Sequence, residues 1–162
     1  MEAKVNLDKE LCEEHLAKVA GGARALLNGL ISYTYNDGVG EPGYEPFEFA
    51  NIGDCIQSLA ARQYFPSVER RIDRDQLGEY AGEPVNVIMN AWYRLWRKNM
   101  IFSPMINPLL VSLHFRNPDA MTDEALGYFR RHEPVGCRDT RTADFLRSKG
   151  VKAYFSGCLT LT

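Results

Sequence analysis

Arg138 and Asp139 carry the clearest chemical potential in this chain. They follow a short apolar run (134–137) and precede a helical stretch (140–148), so they fall at the carboxyl end of an expected strand. Open α/β sheets bind ligands at that position. An arginine fork there matches two oxygens of a carboxylate or phosphate at once. A plainer arrangement fits equally well, with the two residues paired to each other or to neighbours and Asp139 capping the next helix. His114 ends an apolar strand expected over 109–115, either as a satisfied rim residue or as a group for hydrogen bonding and proton transfer. Asn90, at the end of the strand 85–90, is a turn residue or a sugar ligand.

Asn51-Ile52-Gly53-Asp54 opens the clearest helix. Amides left open at such a glycine turn can hold a hydroxyl, carboxylate or phosphate. The competing reading is a simple helix cap. Asp54 opposes anion binding and suits sugar hydroxyls. Trp92, Tyr93 and Trp96, interleaved with Arg94, Arg97 and Lys98, make either a stacking surface for a glycan or anionic lipid-linked acceptor, or the packing face of a helix with a solvated basic side. Cys158, in Ser156-Gly157-Cys158, has no base beside it in sequence and reads as a buried structural thiol, with Gly157 permitting a turn.

The elements that must position these residues alternate in type. A helix is expected over 6–20, with Leu7, Leu11, Leu16 and Val19 near helical spacing and Gly21-Gly22 ending it. A first strand over 25–33 is weakened by Asn28 and Gly29, and a long Gly/Pro/acid-rich loop follows over 34–50. In the helix that starts at Asn51, the residues Ile52, Ile56, Leu59, Ala60 and Gln63 share a face, and Pro66 closes it. Short strands follow at 70–74 and 85–90, then a helical segment at 91–102, the strand 109–115, and a helix at 122–132 with acids first and bases last. The strand–helix–strand unit over 134–155 is of a length that joins parallel strands. This alternation predicts an α/β class with a mainly parallel, Rossmann-like sheet and flanking helices.

Composition narrows the field. With 162 residues the chain reads as one domain (1–162), large enough to bury a core. A net charge of −2 argues against a nucleic-acid backbone binder, which needs a basic face. The acidic amino end lacks the apolar region of a secretory signal, and the four cysteines show neither zinc spacing nor a C-x-x-C pair. A cytoplasmic protein with reduced thiols is the plain reading.

Five blocks carry a resemblance to a known family. The stretch PVGCRDTRTADFLRSKGVKAYFSGCLTLT (134–162) resembles the signature of the polysaccharide pyruvyl transferase family. NIGDCIQSLAARQYF (51–65), RIDRDQL (71–77), VIMNAWY (87–93) and PLLVSLHF (108–115) occur in matching order. The resemblance implies a two-lobed, glycosyltransferase-B-like enzyme that ketalises a sugar with pyruvate from phosphoenolpyruvate, with no cofactor or metal. It further implies that this chain is the acceptor-side half, with the second lobe absent, and inactive by itself. On that reading Asn51, Gly53, Asp54, Gln57, Asn90, Trp92, Ser156 and Gly157 contact substrate, while Arg138 and His114 serve the chemistry. The implied partners are a saccharide acceptor, a membrane surface where that acceptor is lipid-linked, and a second lobe or second copy. A non-catalytic carbohydrate- or anion-binding module derived from the same lobe is the alternative.

Overall fold

The computed structural model describes residues 26–33, 51–93 and 101–161. The expected helix over 6–20, the loop over 34–50 and the residues Arg94, Trp96, Arg97 and Lys98 lie outside them. In chain order the regular elements are β1 (Leu27–Ser32), α1 (Ile52–Arg62), β2 (Arg70–Asp73), β3 (Val85–Ile88), β4 (Trp92–Tyr93), β5 (Ile106–Leu109), β6 (His114–Phe115), α2 (Asp123–Arg131), β7 (Val135–Cys137), α3 (Thr140–Ser148) and β8 (Ala153–Phe155). The chain is mixed α/β, and every ladder among these strands is parallel.

The central sheet has the order β2-β1-β3-β5. Past β5 the chain continues its hydrogen bonding towards β7: Leu110 O accepts from Gly136 N (2.7 Å), Leu113 N donates to Gly136 O (3.0 Å) and Arg138 N donates to Leu113 O (2.8 Å). The β7–β8 pair therefore lies on the far side of β5 from β3. Gly136 is what permits this approach, because a Cβ there would stand 3.1 Å from Val111 Cα. The strand order reverses direction between β1 and β3. The ligand crevice of an open α/β sheet lies at such a switch point, outside the carboxyl ends of the strands.

Adjacent residues on a strand face opposite sides of a sheet. Ile31, Val85, Val87 and Ile72 join Ala125, Leu126, Phe129, Ala143 and Leu146 in one buried cluster, while Leu30, Ile88, Leu109 and Val111 join Ala61, Phe65 and Leu159 in another. So α2 and α3 cover one face, and α1 with a short 3-10 turn (Leu159–Leu161) covers the other.

Two expectations about local structure are corrected. Trp92 and Tyr93 do not begin a helix but pair in parallel with His114 and Phe115. The chains leaving β3 and β5 run side by side there, and strand pairing overrides the aromatic spacing. The strand expected over 109–115 is also interrupted, since Ser112 takes a left-handed backbone conformation (φ 57°) between β5 and β6. Ser112 is fully buried, and its hydroxyl accepts from Leu159 N at 3.0 Å.

Candidate site at the carboxyl edge of the sheet

Helix α1 starts where the sequence places it. Asn51 caps it by accepting from Gly53 N (3.0 Å), with Asp54 in the first turn and Arg62 in the last. The shared apolar face of Ile52, Ile56 and Leu59 points away from the sheet; Ile52 is 74% and Leu59 69% exposed. The buried side is instead Gln57 and Ala61. Small residues let the helix lie close to the sheet, and the Ser58 hydroxyl donates to Ile31 O at the end of β1.

That orientation drives Gln57 into the crevice. Its amide is satisfied in only one orientation, in which its nitrogen donates to Asn90 O (2.7 Å) and its oxygen accepts from Arg138 Nη1 (2.6 Å). The reverse orientation would set two donors against each other. Asn90, 1% exposed, returns a bond from Nδ2 to Gln57 O at 2.7 Å. The same end of the Gln57 amide that meets Arg138 lies 3.9 Å from Cys158 Sγ, and Cys158 Sγ lies 3.0 Å from Thr160 Oγ1. A polar chain thus runs Asn90–Gln57–Arg138–Cys158–Thr160 across the ends of β3, β7 and β8.

The neighbour of Arg138 takes a different partner. Asp139 Oδ2 is 2.7 Å from His114 Nδ1, and its two oxygens accept from Thr142 N and Thr142 Oγ1, both at 2.8 Å, which also caps α3. Burial pushes the Asp139 carboxyl up, but the hydrogen bonds from His114 and from the Thr142 amide and hydroxyl outweigh it and hold the group below its ordinary value. An ionised Asp139 accepts the Nδ1 proton, which leaves His114 Nε2 as the nitrogen that gives or takes a proton. Arg138, in turn, pairs with no carboxylate among the described residues; its half-buried guanidinium is held by the Gln57 amide and lies against Cys158.

The sequence-derived site residues divide accordingly. Gln57, Asn90, Arg138, His114, Ser156 and Gly157 gather at the carboxyl edge. Gln57 and Asn90 are buried and act as scaffold for Arg138. Ser156 is likewise engaged internally: its hydroxyl bonds Cys137 O (3.1 Å) and Gly157 O (3.2 Å) and accepts from Ser112 N (3.0 Å). Gly157 has the positive φ its turn requires (73°). Asn51 and Gly53 form the exposed start of α1, and Asp54 reaches Arg74 Nη1 at 3.8 Å. Trp92 lies under the Arg116 guanidinium, 5.8 Å from ring centre to Cζ.

Sequence reasoning missed two features. Arg74 is 7% exposed, bonds Asp75 at 3.0 Å, and lies over Tyr33 at 5.2 Å. It ties the end of β2 to the first turn of α1, and the acidic residues around it in RIDRD were the available signal. Cys158 is the other. It is half-exposed rather than buried; burial raises its thiol, but the Thr160 hydroxyl and amide and the Arg138 guanidinium outweigh that and lower it below its ordinary value. No spacing in the sequence reveals that contact. A cleft of 380 Å³ borders β2, lined by Arg71, Ile72, Asp73, Gln76, Glu79, Tyr80 and Ala81; it shares no residue with this site. Among the described residues no three His, Cys, Asp or Glu side chains converge as a metal site.

Comparison with protein-family models, curated proteins and solved structures returns no match.

Proposed function

We propose that this domain is the acceptor-side lobe of a polysaccharide pyruvyl transferase-like enzyme, Rossmann-like in its sheet and one half of a glycosyltransferase-B-like cleft. The supporting observation is Arg138: a guanidinium at the carboxyl edge, oriented by the buried Gln57–Asn90 pair, with no carboxylate partner among the described residues. Such a cation fits the carboxylate or phosphate of phosphoenolpyruvate. Pyruvyl transfer requires a proton at the donor's methylene carbon and a bond from one sugar hydroxyl to C2. Phosphate then departs and a second hydroxyl closes the ketal. His114, oriented by Asp139 at 2.7 Å, is the proton-transfer group nearest in kind to that task. Asn51 and Gly53 at the start of α1, and Trp92 in β4, are the residues for acceptor hydroxyls.

A binding module that uses the same edge without chemistry is the second reading. It is favoured by the internal engagement of Asn90 and Ser156, whose polar groups are taken up within the protein. Calorimetric titration with phosphoenolpyruvate and with pyruvylatable disaccharides tests the proposal. Donor binding that weakens roughly tenfold or more in Arg138→Gln is expected, the loss of a charge-assisted contact. Saccharide binding with no donor binding would favour the module, and neither would defeat both.

A further inference from the structure

Cys158 and Arg138 meet at the sheet edge without being neighbours in sequence. Three observations bear on them together. The sulfur is half-exposed and 3.0 Å from Thr160 Oγ1. The Arg138 guanidinium and the sulfur meet the same end of the Gln57 side-chain amide, at 2.6 Å and 3.9 Å, and Gln57 is 6% exposed. That guanidinium has no carboxylate partner among the described residues, which leaves it open to an incoming carboxylate. We propose that Cys158 and Arg138 form a covalent capture site for small carboxylates that are electrophilic at the carbon next to the carboxyl group. Arg138 holds the carboxylate, and the sulfur stands beside the adjacent carbon.

A thiol lowered by Thr160 and Arg138 gives up its proton more readily than an ordinary cysteine, which favours the nucleophile such a reaction needs. With an α-halo acid the sulfur–carbon bond forms as halide leaves. With an enolpyruvyl group the sulfur bonds to C2, one proton enters at the methylene carbon, and no group departs. The choice of enolpyruvate as natural ligand rests on the proposed function; the pairing of thiol and arginine does not.

The test uses the protein's own cysteines. Cys55 is exposed on α1, and Cys137 is fully buried with its thiol raised, first by burial and further by Asp139. Iodoacetate and iodoacetamide are compared at fixed pH, with labelling at each cysteine read by peptide mass spectrometry. At Cys158 the anionic reagent should be favoured over the neutral one, relative to the same ratio at Cys55, by about fivefold or more, the order of effect that an adjacent cation has even in water-like surroundings. Arg138→Gln should abolish the preference and Arg138→Lys should retain part of it, with circular dichroism confirming that each variant folds. An equal ratio at Cys158 and Cys55 in the unmodified protein would overturn the proposal without any variant. Incubation with phosphoenolpyruvate then reads intact mass. A gain of one donor, absent in Cys158→Ser, supports the enolpyruvyl assignment; anionic preference without that gain keeps the capture site and removes enolpyruvate as its ligand.

Discussion

Arg138 and Asp139 are adjacent in sequence, yet the structure separates their roles. Asp139 takes His114 and the amino end of α3, and Arg138 takes Gln57. An aspartate whose folded value lies below its unfolded one binds fewer protons when folded, so its contribution is present above the ordinary aspartate range and is lost as pH falls through the folded value. Asp139→Asn keeps a good helix cap while removing the charge. The difference in urea midpoint between the two proteins should therefore be largest near neutrality and shrink as the pH is lowered past the ordinary aspartate value; a difference that stays constant would mean the charge is unimportant. Asn90 offers a second measurement. Its truncation to alanine removes a buried bond of 2.7 Å to the Gln57 main-chain oxygen and should cost about 1–3 kcal/mol, read by denaturant unfolding.

Helix α1 shows how far sequence patterning reached and where it stopped. Its start, its cap and the shared face of Ile52, Ile56 and Leu59 were legible from spacing alone. Which way that face points was not, because the choice depends on what the sheet beneath accepts. Ala61 and Gln57 face the sheet, and the larger apolar residues face away. Leu59→Glu should consequently shift stability by no more than about 0.5 kcal/mol, whereas Ala61→Asp, which buries a charge against Phe65 and Leu109, should cost more than about 3 kcal/mol or prevent folding. Equal losses in thermal melts would mean the helix is turned the other way. The segment at Trp92 was misread for a similar reason: two-residue strands carry too short a pattern to be told from a helical start, and only the partner His114–Phe115 decides the matter. Gly29 weakened the first strand as a propensity, but its missing side chain is what the neighbouring strand needs, since a Cβ would stand 2.9 Å from Val85 Cγ2.

Taken as a molecule, the chain brings Gln57 of α1 against Asn90 past the end of β3 and Arg138 past the end of β7, with His114 of β6 on the neighbouring Asp139. The contacts that join them were not predictable, because each links residues far apart in the chain, Gln57 and Cys158 being 101 positions apart. On the proposed reading those groups form one side of a two-sided cleft. Ketal formation needs donor and acceptor held in register, an arrangement worth about 7–11 kcal/mol in favourable cases, which converging groups from two sides supply. The purified chain incubated with phosphoenolpyruvate and acceptor sugars should thus release no phosphate above background, while sustained turnover would show that this edge is sufficient. The most direct measurement of the central claim is an NMR titration of the ¹⁵N-labelled chain with phosphoenolpyruvate. The account predicts saturable shifts at the Arg138 side-chain Nε–H and at the amides of Asp139, Gly157 and Cys158, all lost in Arg138→Gln. Shifts confined to the cleft beside β2, at Arg71 and Tyr80, or no shifts at all, would contradict it.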